Sequence, residues 1–92
     1  MTDCRESVLI INQRGLHARA SAKFVNLVSD LPETCQVRVS KDGVDAAGGS
    51  ILGLMMLGAA KGDTIEIAVS GEGAESALEQ LATLVKDGFG ED

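Results

Sequence analysis

Two segments of the chain, 34–40 and 63–70, alternate apolar with polar residues one by one. Successive side chains of a strand point to opposite faces, so this pattern predicts two strands that each bury a single face. The segment 5–12 contains the branched run VLII and predicts a third strand. A sheet of one-faced strands needs a second layer on one side only, which favours a two-layer fold.

Three further segments have the helical spacing that can supply this layer. In 17–29 the apolar residues recur at intervals of three and four, and Pro32 blocks any continuation of the helix. The segment 74–86 has the same spacing, and 50–57 predicts a short helix with Ser50 as its N-cap.

A hairpin turn is predicted at Asp42-Gly43, followed by a short return strand at 44–46. The resulting element order is β-α-β-β-α-β-α. It predicts an α+β protein, a two-layer open-faced β-sandwich whose four-stranded, mostly antiparallel sheet is covered on one face by three helices. Because the chain has 92 residues, we expect a single domain over 1–92.

The composition argues against several classes of function. The net charge is −6 and only Phe24 and Phe89 are aromatic, so neither polyanion binding nor base stacking is favoured. An RNA-recognition domain of similar element order is therefore disfavoured, and we expect no nucleic acid among the partners. Cys4 and Cys35 lie far apart and only one histidine is present, so we expect no metal site and no cofactor.

The sequence also predicts where the protein works. Its first residues form no apolar leader, and the longest uncharged run, 46–60, is shorter than the roughly 20 residues that span a bilayer. We therefore expect a cytoplasmic protein without membrane insertion, whose partners are proteins or small molecules.

The one local cationic region of the chain surrounds its only histidine. Residues 7–29 include no carboxylate, but they include His17 and three basic residues: Arg14, Arg19 and Lys23. His17 lies at a predicted helix start, where unpaired backbone N–H groups favour an anion, and Arg19 can add a charged hydrogen bond to a phosphate. An imidazole placed there can be the nucleophile that receives a phosphoryl group.

A simpler interpretation has equal weight on these residues alone: His17 begins the helix, and Arg19 is a solvated charge. No second acid or base residue stands close to His17 along the chain, and we expect none beside it. That absence favours a phosphoryl carrier over a self-contained enzyme.

The uncharged segment 46–60 predicts a docking surface. If Leu54 and Leu57 face the core, three apolar side chains remain partly exposed: Ile51, Leu52 and Met55. The alternative is that all of them belong to the core, which is the commoner outcome of such a pattern.

Two motifs resemble those of one protein family. Gly15-Leu16-His17-Ala18-Arg19 resembles the phosphorylation-site motif of HPr, the histidine-containing phosphocarrier of the bacterial phosphoenolpyruvate-dependent phosphotransferase system. The segment 49–58, GSILGLMMLG, resembles the regulatory-serine helix of the same family. The spacing of the motifs and the element order also fit, so the resemblance covers almost the whole chain.

The resemblance implies a role for each motif. His17 would accept a phosphoryl group on Nδ1 from enzyme I and pass it to IIA proteins, while Arg19 neutralises the phosphate. Ser50 matches the serine that an HPr kinase/phosphorylase modifies in some bacteria. The family's partner-binding surface corresponds to five residues: Ala18, Ala20, Ile51, Leu52 and Met55.

The sequence departs from the family pattern at two places. Ala20 stands where the motif usually has proline, and Gly48-Gly49 stands where many members have a lysine. The Ala-Arg-Ala form resembles carriers of nitrogen-related, regulatory phosphotransferase chains. An alternative from another class is a small regulatory module that docks partners through 46–60 and carries no phosphate.

Overall fold

A computed structural model describes residues 3–91 and confirms the predicted order of strands and helices. The strands are β1 (Asp3–Leu9), β2 (Gln36–Lys41), β3 (Val44–Ala47) and β4 (Thr64–Ser70). The helices are α1 (Ala18–Ser29), α2 (Ile51–Met56) and α3 (Ala74–Lys86), and a 3₁₀ turn at Gly88–Gly90 follows α3. None of the helices formed by residues 3–91 combines the length and the apolar content that crossing a bilayer requires.

The sheet has the strand order β1-β4-β2-β3, and every neighbouring pair is antiparallel. The two strands with the clearest alternation, β2 and β4, therefore pair directly. Val39 of β2 lies opposite Ile67 of β4, and both side chains are fully buried. The residues between the buried positions of β4 are half-buried on the other face, which confirms the prediction of one-faced strands.

The helices form the second layer. α3 contacts β1 and β4, α1 contacts α2 and α3, and α2 contacts β3. Phe24 of α1 and Leu81 of α3 are buried in the core between the layers. The hydrophobic positions that the helical spacing selected in α3 therefore face the sheet, and Phe24 of α1 lies in the same core.

The loop between β1 and α1 sets the position at which α1 begins. β1 ends at Leu9, earlier than the predicted segment 5–12, although the backbone of Ile10 still bonds to the segment before β4. Gly15 has a φ of +62°, and a Cβ at this position would lie 2.3 Å from the carbonyl oxygen of Ala59. Both the conformation and the close approach therefore require glycine here.

The chain turns back sharply after α3, which the sequence analysis did not predict. Gly88, Phe89 and Gly90 all have positive φ angles, of 65°, 58° and 72°. Phe89 is only 1% exposed, and Lys23 Nζ donates a hydrogen bond to its carbonyl at 2.6 Å. The turn places Glu91 beside the start of α1.

Candidate functional site

His17 is the N-cap residue of α1. Its backbone is extended, with φ −77° and ψ −178°, and its carbonyl accepts the N–H of Ser21 at 2.9 Å. The backbone N–H of Arg19 donates to Nδ1 of His17 at 3.3 Å. Nδ1 thus carries a lone pair and points at the N-terminal end of a helix, where backbone N–H groups without intrahelical partners favour a negative group.

Hydrogen bonds on both sides hold the loop that carries His17. The N–H of Leu16 donates to the carbonyl of Ala59 at 2.9 Å, and the hydroxyl of Ser21 donates to the carbonyl of Leu16 at 3.3 Å. The side chain of Leu16 is 5% exposed and packs in the core. The imidazole is therefore mounted on a fixed backbone rather than on a free loop.

The other ring nitrogen of His17 contacts a carboxylate. Nε2 lies 2.7 Å from Oε2 of Glu91. An ionised carboxylate only accepts hydrogen bonds, so Nε2 carries the proton and donates it. This assignment agrees with the bond at Nδ1, which requires an acceptor there.

Asn12 fixes the second oxygen of that carboxylate. Its Nδ2 donates to Oε1 of Glu91 at 3.0 Å and to the carbonyl of Gly15 at 2.9 Å. The amide of Asn12 holds the pKa of Glu91 below its ordinary value, helped by the hydrogen bond from His17 and by the charge of Lys23, against the opposing effect of desolvation. Glu91 is therefore ionised over a wider pH range than a free glutamate.

The basic residues predicted to surround His17 do converge in space. Arg14, Arg19 and Lys23 line a depression of about 370 Å³ together with Gln13, Gly90 and Glu91. Arg14 and Arg19 are exposed at this surface. The arrangement offers positive charge to an anion close to the start of α1.

One expectation about this site is wrong. The sequence suggested that no second acid or base residue stands near His17, but Glu91 contacts it from 74 residues away. Phe89 was the sequence feature that could have indicated this contact. It is one of only two aromatic residues and lies beyond the last predicted helix, and an aromatic side chain there favours packing of the segment against the core.

The second candidate site begins at Ser50, which caps α2 as predicted. Its Oγ accepts the backbone N–H of Gly53 at 2.9 Å, and its backbone is extended. Leu54 and Leu57 are buried, at 1% and 8% exposure, which confirms their predicted place in the core.

The remaining apolar side chains of α2 are exposed. The exposed fractions are 40% for Ile51, 68% for Leu52, 40% for Met55 and 75% for Met56. The interpretation in which the whole segment is core is therefore wrong. Met56, which the sequence analysis did not single out, is the most exposed of the four, and we call these four residues the α2 patch.

The two alanines assigned to partner binding have different environments. Ala18 is exposed next to His17. Ala20 is 0% exposed and belongs to the core, so its assignment to a partner-binding surface is wrong. The cause is the helical period: Ala20 shares the face of α1 that carries Phe24, whereas Ala18 lies on the outer side.

A family model described as "PTS HPr component phosphorylation site" matches residues 4–87. This chain belongs to the PTS HPr family. The match includes His17, Arg19 and Ser50 and leaves Glu91 outside. The HPr resemblance of the two sequence motifs is thereby confirmed, and with it the general role of a phosphotransferase-system phosphocarrier.

Named relatives in the HPr family support this assignment. Phosphocarrier protein HPr of Neisseria meningitidis serogroup A is 44% identical over 87 residues, which cover 95% of this chain and 96% of the relative. Phosphocarrier protein NPr of Escherichia coli K12 is 34% identical over 88 residues, which cover 96% and 97% of the two chains.

Solved structures show the same HPr fold. The crystal structure of HPr-C-His from Thermoanaerobacter tengcongensis superposes with a TM-score of 0.87 at 34% identity and covers 100% of this chain and 99% of that chain. A phosphocarrier protein HPr from Bacillus anthracis Ames gives a TM-score of 0.85 at 33% identity, covering 92% and 99%.

Proposed function

We propose that this protein accepts a phosphoryl group on Nδ1 of His17 from enzyme I and passes it to IIA proteins in the cytoplasm. The proposal rests on one observation, namely which ring nitrogen of His17 carries the proton and which has the lone pair. Its Nε2 is engaged by Glu91, while Nδ1 presents a lone pair at the N-terminal end of α1. A nucleophilic nitrogen at a site that favours anions is what a phosphoryl acceptor requires.

The transfer step follows from this arrangement. The lone pair of Nδ1 forms the bond to phosphorus, while the bond between phosphorus and the donor atom of enzyme I breaks and its electrons leave with that atom. Nδ1 carries no proton, so none has to be removed. The backbone N–H of Arg19, released from its 3.3 Å contact with Nδ1, then becomes available to a phosphate oxygen. Arg19 also supplies a guanidinium for the charge of the moving group.

The decisive experiment is labelling with enzyme I and phosphoenolpyruvate, followed by mass spectrometric mapping of the modified residue. We expect one label on His17, lost in mild acid and stable in base. His17→Ala should keep a native circular-dichroism spectrum and take up no label, while Ser50→Ala should be labelled like the wild type. Undiminished labelling of His17→Ala, or an acid-stable label, would contradict the proposal. Binding of enzyme I without any labelling would instead support a regulatory binding module.

We assign partner docking to the α2 patch together with Ala18. The N–H of Leu16 bonds to Ala59, shortly after α2 ends, so the loop before His17 lies against the end of the α2 segment. A partner that reaches Nδ1 can therefore rest on exposed apolar side chains nearby. Leu52→Asp should weaken the binding of enzyme I about tenfold or more, as measured by calorimetric titration. Val44→Asp places the same charge at an apolar residue of β3 that is 56% exposed, and it should leave the affinity unchanged.

We also propose that Ser50 is a site of regulatory phosphorylation by an HPr kinase/phosphorylase. Its side chain is half-buried, and its hydroxyl already contacts a backbone N–H at the start of α2, which a phosphate can use in its place. The adjacent Ile51 and Leu52 are exposed, so the added charge would stand at the edge of the docking patch. Incubation with such a kinase and ATP should give an acid-stable label that Ser50→Ala abolishes.

A further inference from the structure

We infer that Glu91 is a positioning residue for phosphoryl transfer. It holds His17 in the Nε2–H tautomer and balances the positive charge that the ring carries when Nδ1 bears the phosphoryl group. The inference rests on the proposed acceptor role of His17. It concerns a residue outside the stretch matched by the HPr family model.

The contact between the two side chains has the geometry of a charge-assisted hydrogen bond. Nε2 of His17 and Oε2 of Glu91 are 2.7 Å apart, at the short end of the range for a cationic or polarised N–H and a carboxylate. The side chains are 20% and 17% exposed, so water reaches this pair less than it reaches ordinary surface ion pairs. The bond therefore has a defined direction and is partly shielded from competing solvent.

Asn12 ties the same carboxylate to the loop that carries His17. Asn12 is only 2% exposed. Its side-chain amide donates two hydrogen bonds, one to Glu91 Oε1 and one to the carbonyl of Gly15. Among residues 3–91, Oδ1 of Asn12 has no hydrogen-bond partner. Rotating the amide by half a turn would face this oxygen towards two other acceptors, so the orientation that donates to Glu91 is the favoured one.

The turn after α3 is built so that Glu91 reaches this position. Phe89 has a φ of 58°, which is unusual for a residue with a side chain, yet it is buried and its carbonyl is held by Lys23. Glycines on both sides adopt positive φ angles that suit them. Burial of Phe89 and the hydrogen bond from Lys23 thus hold three consecutive residues at positive φ angles, and the chain is directed so that Glu91 lies beside His17.

The chemistry of the carrier gives the carboxylate a function. Before transfer the ring is neutral, with its proton on Nε2 and its lone pair on Nδ1. After transfer both nitrogens are substituted and the ring bears a positive charge, which the ionised Glu91 faces directly. The interaction is thus stronger in the phosphorylated state than in the free state, and it favours phosphorylation.

The test compares Glu91→Ala with Asp87→Asn, which removes the same charge from the neighbouring exposed Asp87. Because the chain has a single histidine, the ¹⁵N signals of its ring are assigned without ambiguity. We expect wild type and Asp87→Asn to show a protonated Nε2 and an unprotonated Nδ1, and Glu91→Ala to show a mixture of both tautomers. Labelling by enzyme I and phosphoenolpyruvate should be about tenfold slower in Glu91→Ala alone. Glu91→Asp, which keeps the charge, should recover part of the rate.

Each outcome distinguishes the inference from the function on which it rests. If Glu91→Ala keeps the wild-type ring signals and the wild-type labelling rate on His17, the inference is wrong and the carrier function stands. If Asp87→Asn is slowed equally, the effect is one of general charge, and the specific role of Glu91 is overturned. If the wild type takes no label at all, the carrier function fails, and the role of Glu91 in transfer is overturned with it, whatever the ring signals show.

Discussion

At the scale of single residues, the two ring nitrogens of His17 have separate partners. Glu91 engages Nε2 through a side chain, and Arg19 engages Nδ1 through its backbone. In the proposed transfer, phosphorylation of Nδ1 displaces the weak 3.3 Å contact, whereas the 2.7 Å contact at Nε2 persists. In the proposed transfer Arg19 would contribute twice, because its backbone N–H contacts Nδ1 and its side chain belongs to a residue that lines the adjacent depression.

Arg19→Ala should slow phosphoryl transfer while the label stays on His17. Losing one charged hydrogen bond that acts fully in the transition state costs about 1.5–3 kcal/mol, or roughly ten- to a hundredfold in rate. Rapid-quench kinetics with phosphorylated enzyme I measure this effect. Arg38→Ala removes an exposed arginine from β2 and serves as the control. Equal rates for wild type and Arg19→Ala would show that Arg19 is only a solvated charge.

The lowered pKa of Glu91 predicts how stability depends on pH. Since its folded pKa is below the ordinary 4.5, the ionised group stabilises the fold fully above that pH. This contribution is lost as the pH falls through the lower, folded value. The difference in unfolding free energy between wild type and Glu91→Gln should therefore be largest near neutral pH and vanish in strong acid. Urea titrations from about pH 7 to about pH 3 measure it, and a pH-independent difference would contradict the assignment.

At the scale of elements, α2 is a short helix whose two sides serve different purposes. Leu54 anchors it in the core, while Leu52 and Met56 stay in solvent. With only six residues, the helix depends on its cap and its packing rather than on intrinsic helix propensity. Ser50 is therefore important to the stability of the element as well as to its proposed regulation.

Two substitutions at Ser50 separate these roles. Ser50→Ala loses the hydrogen bond to Gly53 and should lower the unfolding free energy by about 1 kcal/mol, with docking unchanged. Ser50→Asp keeps a capping oxygen, so its Tm should change little, but the new charge beside Ile51 and Leu52 should weaken the binding of enzyme I. Thermal melts paired with calorimetric titrations measure both effects. Equal affinity of wild type and Ser50→Asp for enzyme I would leave Ser50 as a cap alone.

At the scale of the whole molecule, the hydrophobic core also assembles the site. Phe89 is buried in the same core as Phe24 of α1, and two residues later Glu91 meets His17. Burial of Phe89 and the placement of Glu91 beside His17 therefore involve the same short segment. A cavity at Phe89 is expected to affect both.

Phe89→Ala should lower the unfolding free energy by about 3–5 kcal/mol and release Glu91 from the imidazole. The ¹⁵N signals of His17 should then move as in Glu91→Ala, because the turn has lost its anchor. Leu81→Ala opens a cavity in α3 instead; it should cost about 2–5 kcal/mol and leave these signals unchanged. Urea unfolding and the ring spectra are the measurements. Unchanged ring signals in folded Phe89→Ala would show that the turn is held without Phe89.

The sequence by itself determined several features that depend on neighbours a few residues apart. Alternation selected the buried face of β4, the interval of three or four residues selected the core face of α3, and the Ser50 cap was predicted because it bonds only three residues ahead. The placement of His17 at a helix start was likewise a local inference, confirmed by its N-cap geometry.

The tertiary structure alone decided what depends on distant partners. The hydrophobic period predicts which side of a strand is buried, but it does not predict which strands are neighbours. The order β1-β4-β2-β3 therefore could not be predicted from it. The same limit applied to Glu91, which meets His17 through a turn whose Phe89 is buried in the core. No local sequence pattern connects His17 and Glu91, which are 74 residues apart. Their contact exists because packing of the core fixes the positions of both residues.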